Sequence, residues 1–210
     1  MENVSFPNPV VILVNGKFPS HSLSIQKLNN AGTIICTDGS ADKLLAHERT
    51  PDVIIGDMDS TKLNKDDFKG VWSIAPDQNK TDLQKTLDWC IVNDLKDVTV
   101  LGATGKREDH SLGNLHLLAE FSQKLKMKFF SDHAIIYSFK GKRTFSSLKG
   151  QQISIVSIEQ VHSISTVGLK YELNSEPFPP SCSGISNEAI SDKFTIETTE
   201  PIWLFINHFH

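Results

Sequence analysis

The stretch PDVIIGDMDS, residues 51–60, places two carboxylates, Asp57 and Asp59, directly after an apolar segment that Gly56 closes. Alternate residues of an extended chain project the same way, so both acids are expected to face one point at the end of a buried strand. Without a cation, neighbouring carboxylates repel each other and the pKa of one of them rises. The stretch therefore predicts a strand that ends at a divalent-metal site, although Gly, Asp and Ser are equally typical of a turn in which Asp59 or Ser60 caps a helix.

Short apolar segments of the same kind recur on both sides of this stretch, with helix-like segments between them. The strand-like segments span residues 10–14, 33–37, 52–55, 71–75, 98–101 and 128–130, and the helix-like segments span 20–30, 40–48, 61–68, 81–95 and 109–125. This alternation is typical of an open, mainly parallel α/β sheet covered by helices on both faces, with right-handed crossovers.

Two of the predicted helices carry clear signals. Thr81 and Gln84 form a capping-box pattern, and Leu83, Leu87 and Ile91 recur at intervals of four to give one apolar stripe. In the second helix the apolar positions are Leu112, Leu115, Leu118, Ala119 and Leu125.

The sequence pattern changes after about residue 132. Segments such as AIIYSF, RTFSSL, QISIVSIE and IWLFINHF are separated by Gly, Pro, Ser and Asn, without a helical stripe. Alternation of Phe194 and Ile196 with polar neighbours is typical of half-buried antiparallel strands. We therefore predict a fold of α/β plus all-β class: an α/β domain over residues 1–135 and an antiparallel β-sandwich over residues 136–210.

The composition predicts a globular protein without a nucleic-acid or membrane partner. Of the 210 residues, 39% are hydrophobic and 22% charged, and the formal net charge of −4 argues against a phosphate-backbone partner. The first 18 residues lack a basic leader and a long apolar run, so we expect neither a signal peptide nor a membrane span. Three distant cysteines and no Cys/His cluster favour reduced thiols in the cytoplasm and argue against a zinc site.

Polar side chains follow four successive predicted strands, where ligands bind in an open α/β sheet. They are Asp38 with Gly39, Asp57 with Asp59, Gln78 with Asn79 and Asp82, and the segment GATGKREDH at 102–110. Each has a structural alternative, because Asp38 fits a turn, Asp82 fits a first helical turn and Asp109 fits an N-cap. His110 and His116 are equally typical of an ordinary helix face. That these polar residues all fall at one edge of one sheet favours a ligand-binding site over separate structural roles.

The segment GATGKREDH supplies positive charge and backbone donors. A glycine loop between a strand and a helix suits phosphate oxygens, and Thr104, Lys106 and Arg107 add further donors. The segment lacks GxGxxG spacing, and Arg107 stands where a Walker loop requires Ser or Thr. Acids beside phosphate donors predict Mg²⁺-dependent phosphoryl-type transfer by another kind of loop.

Taken in order, these motifs resemble one family, the thiamin pyrophosphokinases. The resemblance spans most of the chain through CTDGSA (36–41), PDVIIGDMDS (51–60), DQNKTDLQKTL (77–87), LGATGKREDHSLGN (101–114), GLKYEL (168–173) and GISNEA (184–189). It implies an α/β nucleotide-binding domain, a β-sandwich that helps to bind thiamin, and a homodimer with active sites at the subunit interface. It also implies that, with Mg²⁺, the thiamin hydroxyl attacks the β-phosphorus of the co-substrate ATP to give thiamin diphosphate and AMP.

The resemblance also assigns roles by matching motif. The metal-associated acids are Asp38, Asp57, Asp59 and Asp82, of which Asp57, Asp59 and Asp82 are the catalytic candidates, with Asp59 or Asp82 as possible proton acceptor. The nucleotide or phosphate contacts are Gln78, Thr104, Gly105, Arg107, Asp109, His110 and Asn114. The thiamin contacts are Ser186, Asn187 and Tyr171, and Trp203 is expected to pack in the core.

The sequence departs from the family pattern at four positions, Ser40, Asn79, Lys106 and Ile185, where a glycine, an acid, a glycine and a threonine are usual. Asn79 removes a possible charge and Lys106 adds bulk to the phosphate loop. These two departures leave open a non-catalytic nucleotide or thiamin sensor on the same fold. Asp57 and Asp59 also leave open a DxD-type transferase, in which they would hold a metal and a nucleotide sugar.

Overall fold

A computed structural model describes residues 5–209 of the chain. The chain folds into two compact units. The N-terminal unit comprises Met1–Leu117 and Lys124–Asp132, and the C-terminal unit comprises Leu118–Gln123 and His133–His210. Residues 1–4, on which part of the expectation about a leader rests, lie outside the described residues.

The N-terminal unit contains a parallel sheet with the strand order β6-β5-β1-β2-β3-β4. Its strands are β1 (Val10–Leu13), β2 (Thr33–Thr37), β3 (Val53–Gly56), β4 (Val71–Ile74), β5 (Asp97–Leu101) and β6 (Lys126–Phe130). Strands β1, β2 and β3 are buried along their whole length, which explains their continuous apolar sequences. The predicted parallel α/β sheet is confirmed, and its strand order reverses between β1 and β5.

Four α-helices connect these strands or follow them: α1 (Ser22–Asn29), α2 (Ala41–Ala46), α3 (Asp82–Val92) and α4 (Glu108–Phe121). The Thr81 side chain accepts a hydrogen bond from the backbone N–H of Gln84 at 3.3 Å, as the capping pattern predicts. Leu83 and Leu87 are buried, but Ile91 is 39% exposed and Cys90 is buried in its place. The predicted stripe was wrong at Ile91 because repeated steps of four residues drift off the face of a helix with 3.6 residues per turn.

The predicted helix at residues 61–68 was also wrong. Only a short 3₁₀ turn, Lys65–Asp67, forms there. The carboxylate of Asp42 accepts hydrogen bonds from the hydroxyl of Thr61 at 3.0 Å and from the backbone N–H of Lys62 at 2.9 Å. This contact, distant in sequence, holds the segment against α2, and it could not be seen in the local pattern.

The C-terminal unit is antiparallel and confirms the predicted β-sandwich class. Its strands are β7 (Ala134–Ser146), β8 (Gln152–Ser157), β9 (Val161–Val167), β10 (Asn174–Phe178), β11 (Asn187–Glu188) and β12 (Lys193–Asn207). Strand β12 pairs with β7 on one side, and on the other side with β9 in its first half and with β8 in its second half. It therefore contributes to both halves of the unit around a core that includes Phe139, Ile155 and Phe194.

Trp203 on β12 is buried, as expected for a packing residue. The segments AIIYSF and RTFSSL lie on one long strand, β7.

Among residues 5–209, none of the helices is long and apolar enough to cross a membrane.

Candidate functional site

A cavity of about 430 Å³ lies at the carboxyl ends of the parallel strands of the N-terminal unit. Asn15 and Gly16, after β1, line it together with Ala103 and Thr104, after β5. These two loops flank the point where the strand order reverses, which is where an open α/β sheet forms its ligand crevice. Asp57, Gln78 and Asp82 also line this cavity.

Three of the predicted acids converge beside this cavity. Single carboxylate oxygens of Asp38, Asp57 and Asp59 lie within 4.8 Å of one another. Strand β3 ends at Gly56, and Met58 has a φ of 68°, so a turn, rather than an extended strand, brings Asp57 and Asp59 together. That spacing matches the reach of oxygen ligands around one divalent cation.

Asp38 is the most constrained member of this cluster. It follows β2 in a short 3₁₀ turn and is fully buried. Its Oδ2 accepts the backbone N–H of Ser60 at 3.1 Å, whereas its Oδ1 has no hydrogen-bond partner among residues 5–209. A Cβ on Gly56 would lie 2.6 Å from the Asp38 Cβ, so the turn requires glycine there.

Electrostatics around Asp38 favour a bound cation. Burial raises the pKa of the Asp38 carboxyl, and the negative charges of Asp82, Asp59 and Asp57 raise it further. An unpartnered buried carboxylate oxygen is costly unless a cation or a proton satisfies it. The donor set of hard carboxylate oxygens therefore fits Mg²⁺ or another divalent cation.

Asp57 and Asp82 differ in their partners. The Gln78 side-chain amide donates to Asp57 Oδ2 at 2.9 Å, and this bond lowers the pKa of Asp57. Burial raises the pKa of Asp82, although Lys85 Nζ, 3.3 Å from Asp82 Oδ1, opposes the rise. Asp82 thus faces the same cavity as Asp57 but is ion-paired, and it stands outside the group of three close carboxylates.

The loop after β5 is held in a fixed conformation. Gly102 and Gly105 have φ values of 69° and 88°, which suit glycine. The backbone N–H of Gly16 donates to Gly102 O at 2.8 Å. Asn114 on α4 is buried and donates through Nδ2 to Ala103 O at 2.7 Å. Asn114 therefore positions the phosphate-suited loop, with its amide nitrogen committed to the protein.

The basic residue that follows the loop, Arg107, is exposed to solvent. Arg107 lines the cavity and pairs with Asp109 at 2.5 Å, and the hydrogen bond from Arg107 lowers the pKa of Asp109 to about 2. Asp109 lies within the first turn of α4, which begins at Glu108, so it is not the N-cap. His110 lines the cavity beside Arg107.

The three residues predicted to bind thiamin lie in the C-terminal unit. Asn187 is buried and exchanges hydrogen bonds with the backbone of Tyr171, donating at 2.7 Å and accepting at 3.1 Å. Tyr171 is 65% exposed, so it is not a core residue, and it lines a cavity of about 260 Å³ with Asn187 and Phe178. Ser186 has a φ of 62° and donates its N–H to Ser154 Oγ at 3.0 Å.

Two family models match this chain in succession. Residues 25–130 match the model described as thiamin pyrophosphokinase, catalytic domain, and residues 138–203 match thiamin pyrophosphokinase, vitamin B1 binding domain. The chain belongs to the thiamin pyrophosphokinase family. The acidic cluster and the loop after β5 fall in the first matched region, and Tyr171, Ser186 and Asn187 fall in the second.

Relatives within the thiamin pyrophosphokinase family have low sequence identity to this chain but align with most of its length. Thiamin pyrophosphokinase 1 of Caenorhabditis elegans is 28% identical over 182 residues, covering 79% of this chain and 75% of the relative. Thiamine pyrophosphokinase of Bacillus subtilis (strain 168) is 28% identical over 163 residues, covering 72% and 75%. The crystal structure of thiamine pyrophosphokinase from Bacillus subtilis has a TM-score of 0.80 at 23% identity, covering 96% of this chain and 99% of that one, and it shows the same fold.

Several cavity residues of this family member were not predicted from its sequence. Asn15 and Gly16 follow β1 as the predicted residues follow the other strands, and this position was the available signal. Lys85 is buried one turn after Asp82 on the same face of α3, so the spacing of three also indicated it. Lys43 on α2 does not line the cavity, but its Nζ donates to Asn15 O at 3.1 Å, a contact that no sequence pattern predicts.

Proposed function

We propose that this chain catalyses Mg²⁺-dependent transfer of a pyrophosphoryl group from ATP to the hydroxyl of thiamin, giving thiamin diphosphate and AMP. The observation that carries this proposal is the composition of one cavity, which is lined both by the carboxylates of Asp57 and Asp82 and by the donors Thr104 and Arg107. Membership of the thiamin pyrophosphokinase family supports the choice of substrates.

Asp38, Asp57 and Asp59 would hold the Mg²⁺ ion, since their oxygens lie within 4.8 Å of one another. A bound Mg²⁺ would offset the charge of the triphosphate and polarise its oxygens. Gln78 orients Asp57 through its 2.9 Å hydrogen bond. These four residues would therefore hold and orient the ion, whereas Asp82, which stands outside the group and pairs with Lys85, is available for proton transfer.

The proposed transfer forms one bond and breaks one. The thiamin hydroxyl oxygen bonds to the β-phosphorus, and the bond from that phosphorus to the oxygen bridging the α-phosphate breaks, so AMP leaves with the bridging oxygen. Asp82 is the proposed acceptor of the hydroxyl proton, because it lines the cavity and burial raises its pKa, which strengthens it as a base. The Lys85 ammonium, 3.3 Å from Asp82 Oδ1, favours the ionised form of Asp82.

The loop after β5 and the start of α4 form the proposed nucleotide side. Thr104, Arg107 and His110 line the cavity and are proposed to contact phosphate oxygens. Gly105 and Asn114 shape the loop, and Asp109 holds the Arg107 guanidinium in place through its ion pair.

We propose two domains, a nucleotide-binding domain at residues 1–135 and a thiamin-binding domain at residues 136–210, which lies in the C-terminal unit. Tyr171 offers an exposed aromatic face that suits a cationic heterocycle, Asn187 holds the Tyr171 backbone, and Ser186 offers a hydroxyl. The family resemblance supports a homodimer with active sites at the subunit interface. Reduced Cys36, Cys90 and Cys182 are consistent with action in the cytoplasm.

The direct test is to incubate the purified chain with ATP, Mg²⁺ and thiamin and to quantify thiamin diphosphate and AMP by chromatography. Equal amounts of both products, dependent on thiamin and on Mg²⁺, are expected. Binding of ATP or thiamin without either product would replace the proposal with a sensor, and turnover of a nucleotide sugar alone would replace it with a sugar transferase.

A further inference from the structure

Two lysines from different elements converge on the loop after β1. Lys43 on α2 donates through Nζ to the backbone carbonyls of Asn15 at 3.1 Å and Gly16 at 2.8 Å. Lys106, in the loop before α4, reaches the side-chain oxygen of Asn15 at 3.5 Å and lines the cavity. Their ammonium groups thus flank Asn15, which lines the cavity with Lys106, whereas Lys43 is not itself a lining residue.

The charge of this lysine pair is uncompensated. Within residues 5–209, neither Lys43 nor Lys106 forms an ion pair with a carboxylate. Burial, followed by the neighbouring Lys106 charge, lowers the pKa of Lys43 to about 8. Two like charges held together are unfavourable without an anion, so the arrangement itself points to an anionic ligand.

The charge of the lysine pair indicates which part of a nucleotide it would contact. Lys106 lines the same cavity as Asp57 and Asp82, so phosphate charge is favoured beside the lysines and opposed beside the carboxylates unless a cation is bound. In a nucleoside triphosphate the terminal phosphate carries the extra negative charge of a monoester near neutral pH, whereas each inner phosphate carries one. A pair of ammonium groups matches the terminal phosphate best.

Resting on the proposed function, we propose that Lys43 and Lys106 form a cationic subsite for the terminal phosphate of ATP. Because that phosphate stays attached to the β-phosphate during transfer, the same subsite holds the terminal phosphate of the product diphosphate. It makes no contact with the phosphate that leaves in AMP. The lysine pair therefore distinguishes a pyrophosphoryl group from a nucleoside monophosphate.

Calorimetric titration of the full chain with ATP, inorganic pyrophosphate or AMP tests this subsite, with Mg²⁺ present and thiamin absent so that no acceptor is available. Lys106→Gln is expected to weaken ATP and pyrophosphate binding roughly tenfold and to leave AMP within about twofold of the unmodified chain. Lys106→Arg is expected to restore most of the loss, because the charge is retained. Lys69→Gln removes an exposed lysine outside the cavity lining and is expected to change nothing.

Lys43→Gln is expected to weaken the same two ligands, and its unfolding curve shows whether the loop at Asn15 stays folded. If Lys43→Gln fails to fold, the binding data for Lys106→Gln alone decide whether the phosphate subsite exists. Unchanged pyrophosphate binding in Lys106→Gln, or an equal loss for AMP, would overturn the subsite. A chain that binds ATP but forms no thiamin diphosphate would overturn the proposed function, while the comparison of pyrophosphate with AMP would still decide the subsite.

Discussion

At the scale of single residues, the buried Asp38 carboxylate links metal binding to stability. Its unpartnered oxygen and raised pKa mean that the ionised form is unfavourable until a cation arrives. We predict that Asp38→Asn lowers turnover by at least about 100-fold and raises the metal-free stability by roughly 1 kcal/mol. Thermal unfolding with and without Mg²⁺ checks this: the ion should stabilise the unmodified chain and leave Asp38→Asn unaffected.

The pH dependence of the same group has a definite sign. A raised folded pKa means that Asp38 costs stability as the pH rises above the unfolded value of about 3.9 and through its folded pKa. The metal-free stability difference between Asp38→Asn and the unmodified chain should therefore grow with pH across that window and vanish below it. A difference independent of pH would mean that Asp38 is protonated throughout or satisfied by another group.

At the scale of elements, α4 and the β5 loop act as one body through Asn114. We predict that Asn114→Ala raises the KM for ATP roughly tenfold, because the amide that holds Ala103 O at 2.7 Å is lost and the loop relaxes. Ser122→Ala is the matched control, since the Ser122 hydroxyl donates to Ala119 O beyond the far end of α4. An unchanged KM in Asn114→Ala would show that the loop keeps its shape without the bond.

A second contact between elements joins β6 to the start of α1 through Asp132. Burial opposes ionisation of this carboxylate, but donors from Ser20, His21 and Lys17 at 2.6–2.9 Å hold its pKa below the ordinary range. A lowered pKa contributes stability above the unfolded value of about 3.9 and loses it as the pH falls. Asp132→Asn should therefore cost about 2 kcal/mol of unfolding free energy at pH 7 and much less at pH 3, as chemical denaturation at the two pH values would measure.

At the scale of the whole molecule, the sequence predicted those features that follow from local periodicity. Strands β1, β2 and β3 were recognisable because they are buried on both faces, and the strand-end rule gathered acids separated by many residues. Contacts between residues that are distant in the sequence could not be predicted from local periodicity. Asp42 binds the start of the segment 61–68, and Lys43 meets Lys106 only in the folded chain.

The proposed homodimer gives the last prediction, which distinguishes two arrangements of the active site. If each site combines the acids of one subunit with the thiamin contacts of the partner, Asp59→Asn and Tyr171→Ala damage different halves of the site. Each variant alone is expected to be inactive. After the two are mixed and reversibly dissociated, about half of the dimers would be heterodimers with one intact site of two, so about a quarter of the unmodified activity would return. If both sets of residues serve the same subunit, every heterodimer lacks an intact site and mixing restores nothing.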